Sequence, residues 1–247
     1  MTQLEGMSIK IFADGADLSS IKALYAKPWI RGFTTNPTLM RKAGIANYKA
    51  FALEVLSAVQ DRPVSFEVFA DDFDEMEDQA MEIASWGSNV NVKIPVTDTK
   101  RNFCGPLIRV LSMARVKLNI TAVMTLEQVR DVAAHLLGDT PAIISVFAGR
   151  IADTGVDPVP IMRDALQLLK GRPQAELLWA SPREVLNIVQ ANEIGCHIIT
   201  ATNDILSKLP LLGKHHSEYS LETVRMFRDD AIAAGYSIPC VRRAVAS

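Results

Sequence analysis

Cysteine and histidine are both scarce in this sequence, and each scarcity removes a class of chemistry. Three cysteines, Cys104, Cys196 and Cys240, stand apart without metal-ligand spacing, and an odd number argues against a disulfide framework. They read as inert thiols in a reducing compartment. The four histidines are equally dispersed: His215 and His216 adjoin in a loop, His135 lies on a helix and His197 opens the last strand. None pairs with a second histidine or a carboxylate at ligand spacing, so neither a metal nor any other cofactor is expected. No G-x-S-x-G elbow surrounds Ser145 or Ser181, which disfavours a serine hydrolase. No G-x-G-x-x-G follows the first strand, which weakens the case for a doubly wound dinucleotide-binding sheet.

An excess of charge is missing too. Against 26 Lys and Arg stand 28 Asp and Glu, a net charge of −2. Nothing there attracts nucleic acid or an anionic membrane. No apolar run is long enough to cross a bilayer, and no secretory n-region and h-region is found, so the expected location is cytoplasmic. Low-complexity segments and charge blocks are absent as well.

What is present is an ordinary globular composition, 49% apolar and 22% charged over 247 residues, enough for a large core. Eight strand-like runs stand out: "IKIFAD" from 9, "GFTTN" from 32, "VSFEVFA" from 64, "VNVKIPV" from 90, "VKLNITAV" from 116, "IISVFAG" from 143, "ELLWAS" from 176 and "HIITA" from 197. Between them lie segments of helical period, among them "YKAFALEVLSAVQ", "FDEMEDQAMEIASW", "LEQVRDVAAHLLG", "PVPIMRDALQLLK" and "PREVLNIVQANEIG". Strand alternating with helix means βαβ units and a parallel sheet. Eight units in 247 residues predict an α/β fold, a single (β/α)8 TIM barrel. A further helix is expected in residues 215–247, and residues 1–8 read as a loose N-terminal extension of the same domain.

Strand parity assigns the two faces. On the fourth run Val90, Val92 and Ile94 share one face, while Asn91 and Lys93 share the other. The third sets Phe66 and Val68 against Ser65 and Glu67; the fifth sets Leu118 and Ile120 against Asn119 and Thr121; the sixth sets Ile144 and Val146 against Ser145 and Phe147. The apolar rows should pack on helices and the polar rows point into the barrel. With Asp14, Asn36 and Ser181, seven strands deliver a polar residue toward their C-terminal ends, the face where barrel enzymes keep their sites.

Lys93 is the odd residue. An ammonium in an apolar, β-branched strand is costly unless it is paired or neutral. A neutral amine is a nucleophile for a ketone, and the iminium that results withdraws electrons as a metal would. Glu67 and Asp14 are the inward carboxylates able to move protons. The competing reading is a Lys93–Glu67 salt bridge that only fills the barrel. Arg150 in "FAGRIAD", and Ser181 with Arg183 in "WASPRE", lie where barrels dock phosphate.

Together "FADGAD", "GFTTNP", "FEVFA", "NVKIPVT", "KLNITAV", "ISVFAGRI" and "WAS" follow in order the strand motifs of the transaldolase family, which the chain resembles from about residue 9 to residue 210. The resemblance implies that Lys93 forms a Schiff base with a ketose. It implies that Asp14, Thr34, Asn36, Glu67, Asn119, Thr121 and Ser145 surround the dihydroxyacetone unit. Glu67 and Thr121 would hold the catalytic water, Asp14 would be the second acid/base, and Arg150, Ser181 and Arg183 would clamp a phosphate. Fructose-6-phosphate aldolases of the family carry Gln and Tyr where this chain has Glu67 and Phe147, which favours a transaldolase. The family's Ser-Phe-Arg or Ser-Phe-Lys run after strand seven is here "SPRE", with Trp179 two residues before Ser181. The resemblance therefore implies sugar-phosphate substrates, the pentose phosphate pathway and a homo-oligomer. Its alternatives are an aldolase that releases free dihydroxyacetone and a non-catalytic sugar-phosphate-binding barrel.

Overall fold

The eight apolar runs become eight strands in the computed structural model, which describes residues 3–239. They are β1 (Lys10–Asp14), β2 (Ile30–Thr34), β3 (Val64–Glu67), β4 (Val90–Pro95), β5 (Leu118–Val123), β6 (Ala142–Val146), β7 (Ala175–Trp179) and β8 (Ile198–Thr202). Each pairs in parallel with its neighbours in sequence, and β8 returns to β1, so the sheet closes into a (β/α)8 TIM barrel.

The intervening helices are α1 (Leu18–Tyr25), α2 (Pro37–Lys42), α3 (Tyr48–Ala58), α4 (Phe73–Ser85), α5 (Gly105–Met113), α6 (Leu126–His135), α7 (Ala148–Asp153), α8 (Pro158–Leu169), α9 (Leu186–Glu193) and α10 (Asn203–Leu206). Polar residues start many of them. Asp17, Asn36, Asn47, Asp72, Thr125 and Asp157 accept the backbone N–H of the second or third helical residue. Each such cap is worth about 1 kcal/mol and fixes where the preceding loop ends. On α4, Met76, Ala80 and Ile83 are buried at helical spacing and supply its inner face.

Interior residues from four strands explain part of the barrel's filling. Phe12, Ile143, Leu178, Ala180 and Ile198 form one buried cluster, with Phe147 packed against it. Gly32 makes room: a Cβ there would stand 2.5 Å from the tip of the Phe12 ring. The apolar filling thus lies within the barrel, below the polar strand ends.

Some boundaries differ from the sequence reading. "IISVFAG" ends as a strand at Val146, and Ala148 already opens α7. Only Ser145 interrupts the apolar run, and it lies before the boundary, so nothing at 146–148 marks the change. The segments at α1 and α5 stand out little by period: α1 buries only Ile21, and α5 is apolar over most of its length. Of the expected extension, Gln3–Gly6 form a 3-10 turn and the Ser8 N–H bonds Asn192 Oδ1 at 2.9 Å.

The chain divides into two compact units, the barrel through Pro210 and a C-terminal unit from Leu211. The second holds α11 (His216–Ala233), capped by His215, with Lys214 paired to Glu222. Among the described residues no helix is long and apolar enough to cross a membrane. Cys104 and Cys196 are buried and free, and burial pushes both thiols up to about 12. Cys240 lies outside the described residues.

Candidate active site

Strand register brings the predicted residues together before any side chain is considered. Glu67 stands opposite Lys93 across β3 and β4, Asn119 opposite Lys93 across β4 and β5, and Thr34 opposite Asp14 across β2 and β1. Thr121 pairs with Pro95 one step further along.

Lys93 is 6% exposed, and its Nζ has two partners. It lies 3.0 Å from Glu67 Oε2 and donates to the Thr35 carbonyl at 2.8 Å. The salt bridge anticipated as a competing reading therefore exists. It also sets a carboxylate beside the amine, ready to exchange a proton with it. Removing one member of so buried a pair typically costs about 3–5 kcal/mol.

Asp14 sits at the other side of the mouth. Thr34 Oγ1 donates to its Oδ1 at 2.7 Å and Asn36 Nδ2 to its Oδ2 at 3.2 Å. Asn36 does this while its Oδ1 caps α2 through the Leu39 N–H at 2.9 Å, so one side chain ties the helix start to the carboxylate. Burial drives the Asp14 carboxyl above its ordinary value, and the opposing pull of Lys93, Thr34 and Asn36 does not cancel it. Because Thr34 gives its only proton to Asp14, Thr200 must donate across the 2.6 Å contact between the two hydroxyls.

A second buried chain crosses the barrel. Ser145 Oγ donates to Asn119 Oδ1 at 2.6 Å, and Asn119 Nδ2 donates to Ser65 Oγ at 3.1 Å. Thr121 is buried where β5 bulges: register shifts between Ile120 and Val123, and Ala122 has φ 62°. Such bulges re-aim side chains beside active sites.

At the expected phosphate end the three predicted residues differ in their surroundings. Arg150 is exposed on α7 and makes no ion pair among the described residues. Arg183 is engaged: both its Nε and Nη2 donate to the Asp153 carboxylate, in a half-exposed pair. Ser181 is half-buried with φ 61°, and its carbonyl presses on Gly149, where a Cβ would come within 1.5 Å of the oxygen. Leu178 and Ala180 take the interior positions, so Trp179 points the other way and is fully buried, its Nε1 without a partner among the described residues. Phe147 is half-buried against the interior cluster, with no hydroxyl to offer.

Sequence reasoning passed over Thr200 and the Thr35 carbonyl. Thr200 could have been found as the polar member of the inward row of "HIITA". The carbonyl carries no sequence signal. Among the described residues, no group of three or more His, Cys, Asp or Glu could hold a metal ion.

Residues 11–238 match the family model described as Transaldolase/Fructose-6-phosphate aldolase. A protein named "Probable transaldolase" from Dehalococcoides mccartyi is 33% identical over 204 residues, covering 81% of this chain and 90% of that one. A "Probable transaldolase" from Streptococcus agalactiae is 34% identical over 202 residues, covering 81% and 89%. Among solved structures, a dihydrodipicolinate synthase from Rhodopseudomonas palustris superposes with TM-score 0.59 at 14% identity, covering 95% of this chain and 82% of that one. At that identity the likeness concerns the barrel alone.

Proposed function

The chain belongs to the transaldolase/fructose-6-phosphate aldolase family and is an enzyme of the transaldolase/aldolase type, and on that premise we propose that it moves a dihydroxyacetone unit between sugar phosphates through a Schiff base on Lys93. The observation that carries this reading is the buried Lys93 amine, 3.0 Å from Glu67 and inside the ring of inward polar side chains. The amine adds to the ketose carbonyl. Glu67, with Thr121, holds the water lost when the carbinolamine becomes an iminium. Asp14 takes the proton of the substrate hydroxyl as the carbon–carbon bond breaks, and its raised pKa suits a group that must take and return a proton. The electron pair of that bond passes into the iminium, the severed part of the donor departs as an aldose, and an enamine is left on Lys93. An aldose phosphate then captures it, Asp14 returns the proton, and water frees the new ketose. Asn36, Thr34, Asn119 and Ser145 would orient the donor's hydroxyls, with Arg150 and Ser181 toward its phosphate. Arg183, occupied by Asp153, would contribute little to that clamp.

Transfer is favoured over release because Phe147 offers the enamine no proton and Glu67, as a carboxylate, is a poor acid. Borohydride with fructose 6-phosphate should label the peptide carrying Lys93, and Lys93→Ala should abolish labelling. A label on Lys117 would sink the assignment. Sustained formation of free dihydroxyacetone without an acceptor aldehyde would make the enzyme an aldolase instead.

A further inference from the structure

Glu67 is the last residue of β3, and its backbone lacks a strand partner on one side. In a parallel ladder alternate residues turn their N–H and C=O to opposite neighbours. Val68 bonds toward β4, giving its N–H to the Lys93 carbonyl at 3.1 Å. Ser65 faces β2, where its carbonyl accepts the Thr35 N–H at 3.2 Å. Glu67 has the parity of Ser65 and should also bond toward β2. That strand ends at Thr34; Asn36 has become a helix cap, and Pro37, the first residue of α2, has no N–H to give.

A side chain fills the gap. The Tyr48 hydroxyl accepts the Glu67 N–H at 2.7 Å and donates to the Glu67 carbonyl at 3.0 Å. One phenol thus makes both bonds that a strand residue would have made. The ring is fixed from several sides. Tyr48 is the first residue of α3, next to the Asn47 cap, and its ring meets Phe69 at 4.6 Å, Trp86 at 5.5 Å and Phe66 at 6.1 Å between centroids. Trp86 is itself held by a 3.0 Å bond from Nε1 to Glu82. Burial keeps the phenol protonated, as a hydroxyl that must donate requires.

We propose that Tyr48 is a positioning residue for Glu67: its phenol stands in for the missing β2 partner and fixes the height at which the Glu67 carboxylate meets Lys93. The inference rests on the reading of Glu67 as the proton-moving carboxylate of the Schiff-base chemistry. A carboxylate on a frayed strand end would still reach the amine, but in many orientations, and orientation is where such catalysis is lost.

Tyr48→Phe keeps the ring packing and removes both bonds. It should lower kcat on the order of tenfold, the effect of one well-placed hydrogen bond, and leave KM nearly unchanged. It should also slow borohydride trapping on Lys93, and in a Glu67→Gln background it should cost nothing further in that rate. An equal loss in both backgrounds, or full activity in Tyr48→Phe, would overturn the proposal. Glu67→Gln measured alone separates the two claims: if it trapped and turned over like the wild type, the role of Glu67 would fall, and with it any need to position it. Amide exchange of Glu67 gives an independent check on the unmutated protein. Its N–H should exchange slowly, and rapid exchange in the folded enzyme would also overturn the proposal.

Discussion

Asp14 shows burial and hydrogen bonding pulling one proton in opposite directions. Loss of water is the larger influence and raises its pKa, while Lys93, Thr34 and Asn36 favour the ionised form. The consequence for stability has a definite sign. Between its unfolded and folded pKa the native state binds the proton more tightly, so this residue's contribution is full below the unfolded value and fades as pH rises through the folded one. Asp14→Asn keeps the shape and removes the titration. In a urea series from mildly acid to neutral pH, the stability of the wild type relative to Asp14→Asn should fall steadily. A rise would mean that the ion pairing with Lys93 outweighs burial. Of the residues that make up the candidate site, Lys93, Glu67 and Asp14 were legible because each is a charged residue on the inward row near the C-terminal end of its strand. Thr35 was not, because it contributes a carbonyl that any residue would carry.

At the level of elements, α7 meets the end of β7 through a close backbone approach. Gly149 donates its N–H to the Ala180 carbonyl at 3.2 Å, and the Ser181 oxygen occupies the space a Cβ would need. Because that neighbour is backbone, it cannot rotate away. Gly149→Ala should therefore destabilise by about 1–3 kcal/mol, read as a lower urea midpoint with an unchanged slope. It should also raise KM for a phosphorylated ketose, since Ser181 must shift. An unchanged midpoint would show that the junction is slack. Such close approaches leave only a glycine in the sequence, without a sign of what presses on it. Strand parity, by contrast, was readable, because polar and apolar residues alternate through "VNVKIP" and "LNIT". The Arg183–Asp153 pair was not, since its members are far apart in sequence and their meeting depends on how two βα units pack.

For the molecule as a whole, the closed ring has a consequence in time. β1 and β8 come from opposite ends of the barrel, yet Lys10 pairs with Ile198 and Asp14 with Thr202. Joining them is the longest loop closure in the barrel, and contacts of large sequence separation form slowly. Lys93 and Glu67 meet through a local β3–β4 pairing, whereas Asp14 is steadied by Thr34 and, through it, by Thr200 on the final strand. After dilution from denaturant, helical circular dichroism should return first. The ability to be trapped by borohydride should follow as β3 and β4 align, and carbon–carbon bond cleavage should return last. Recovery of all three signals with a single rate constant would contradict this order. If it holds, the enzyme passes through a period in which it can capture a ketose but cannot yet cut it.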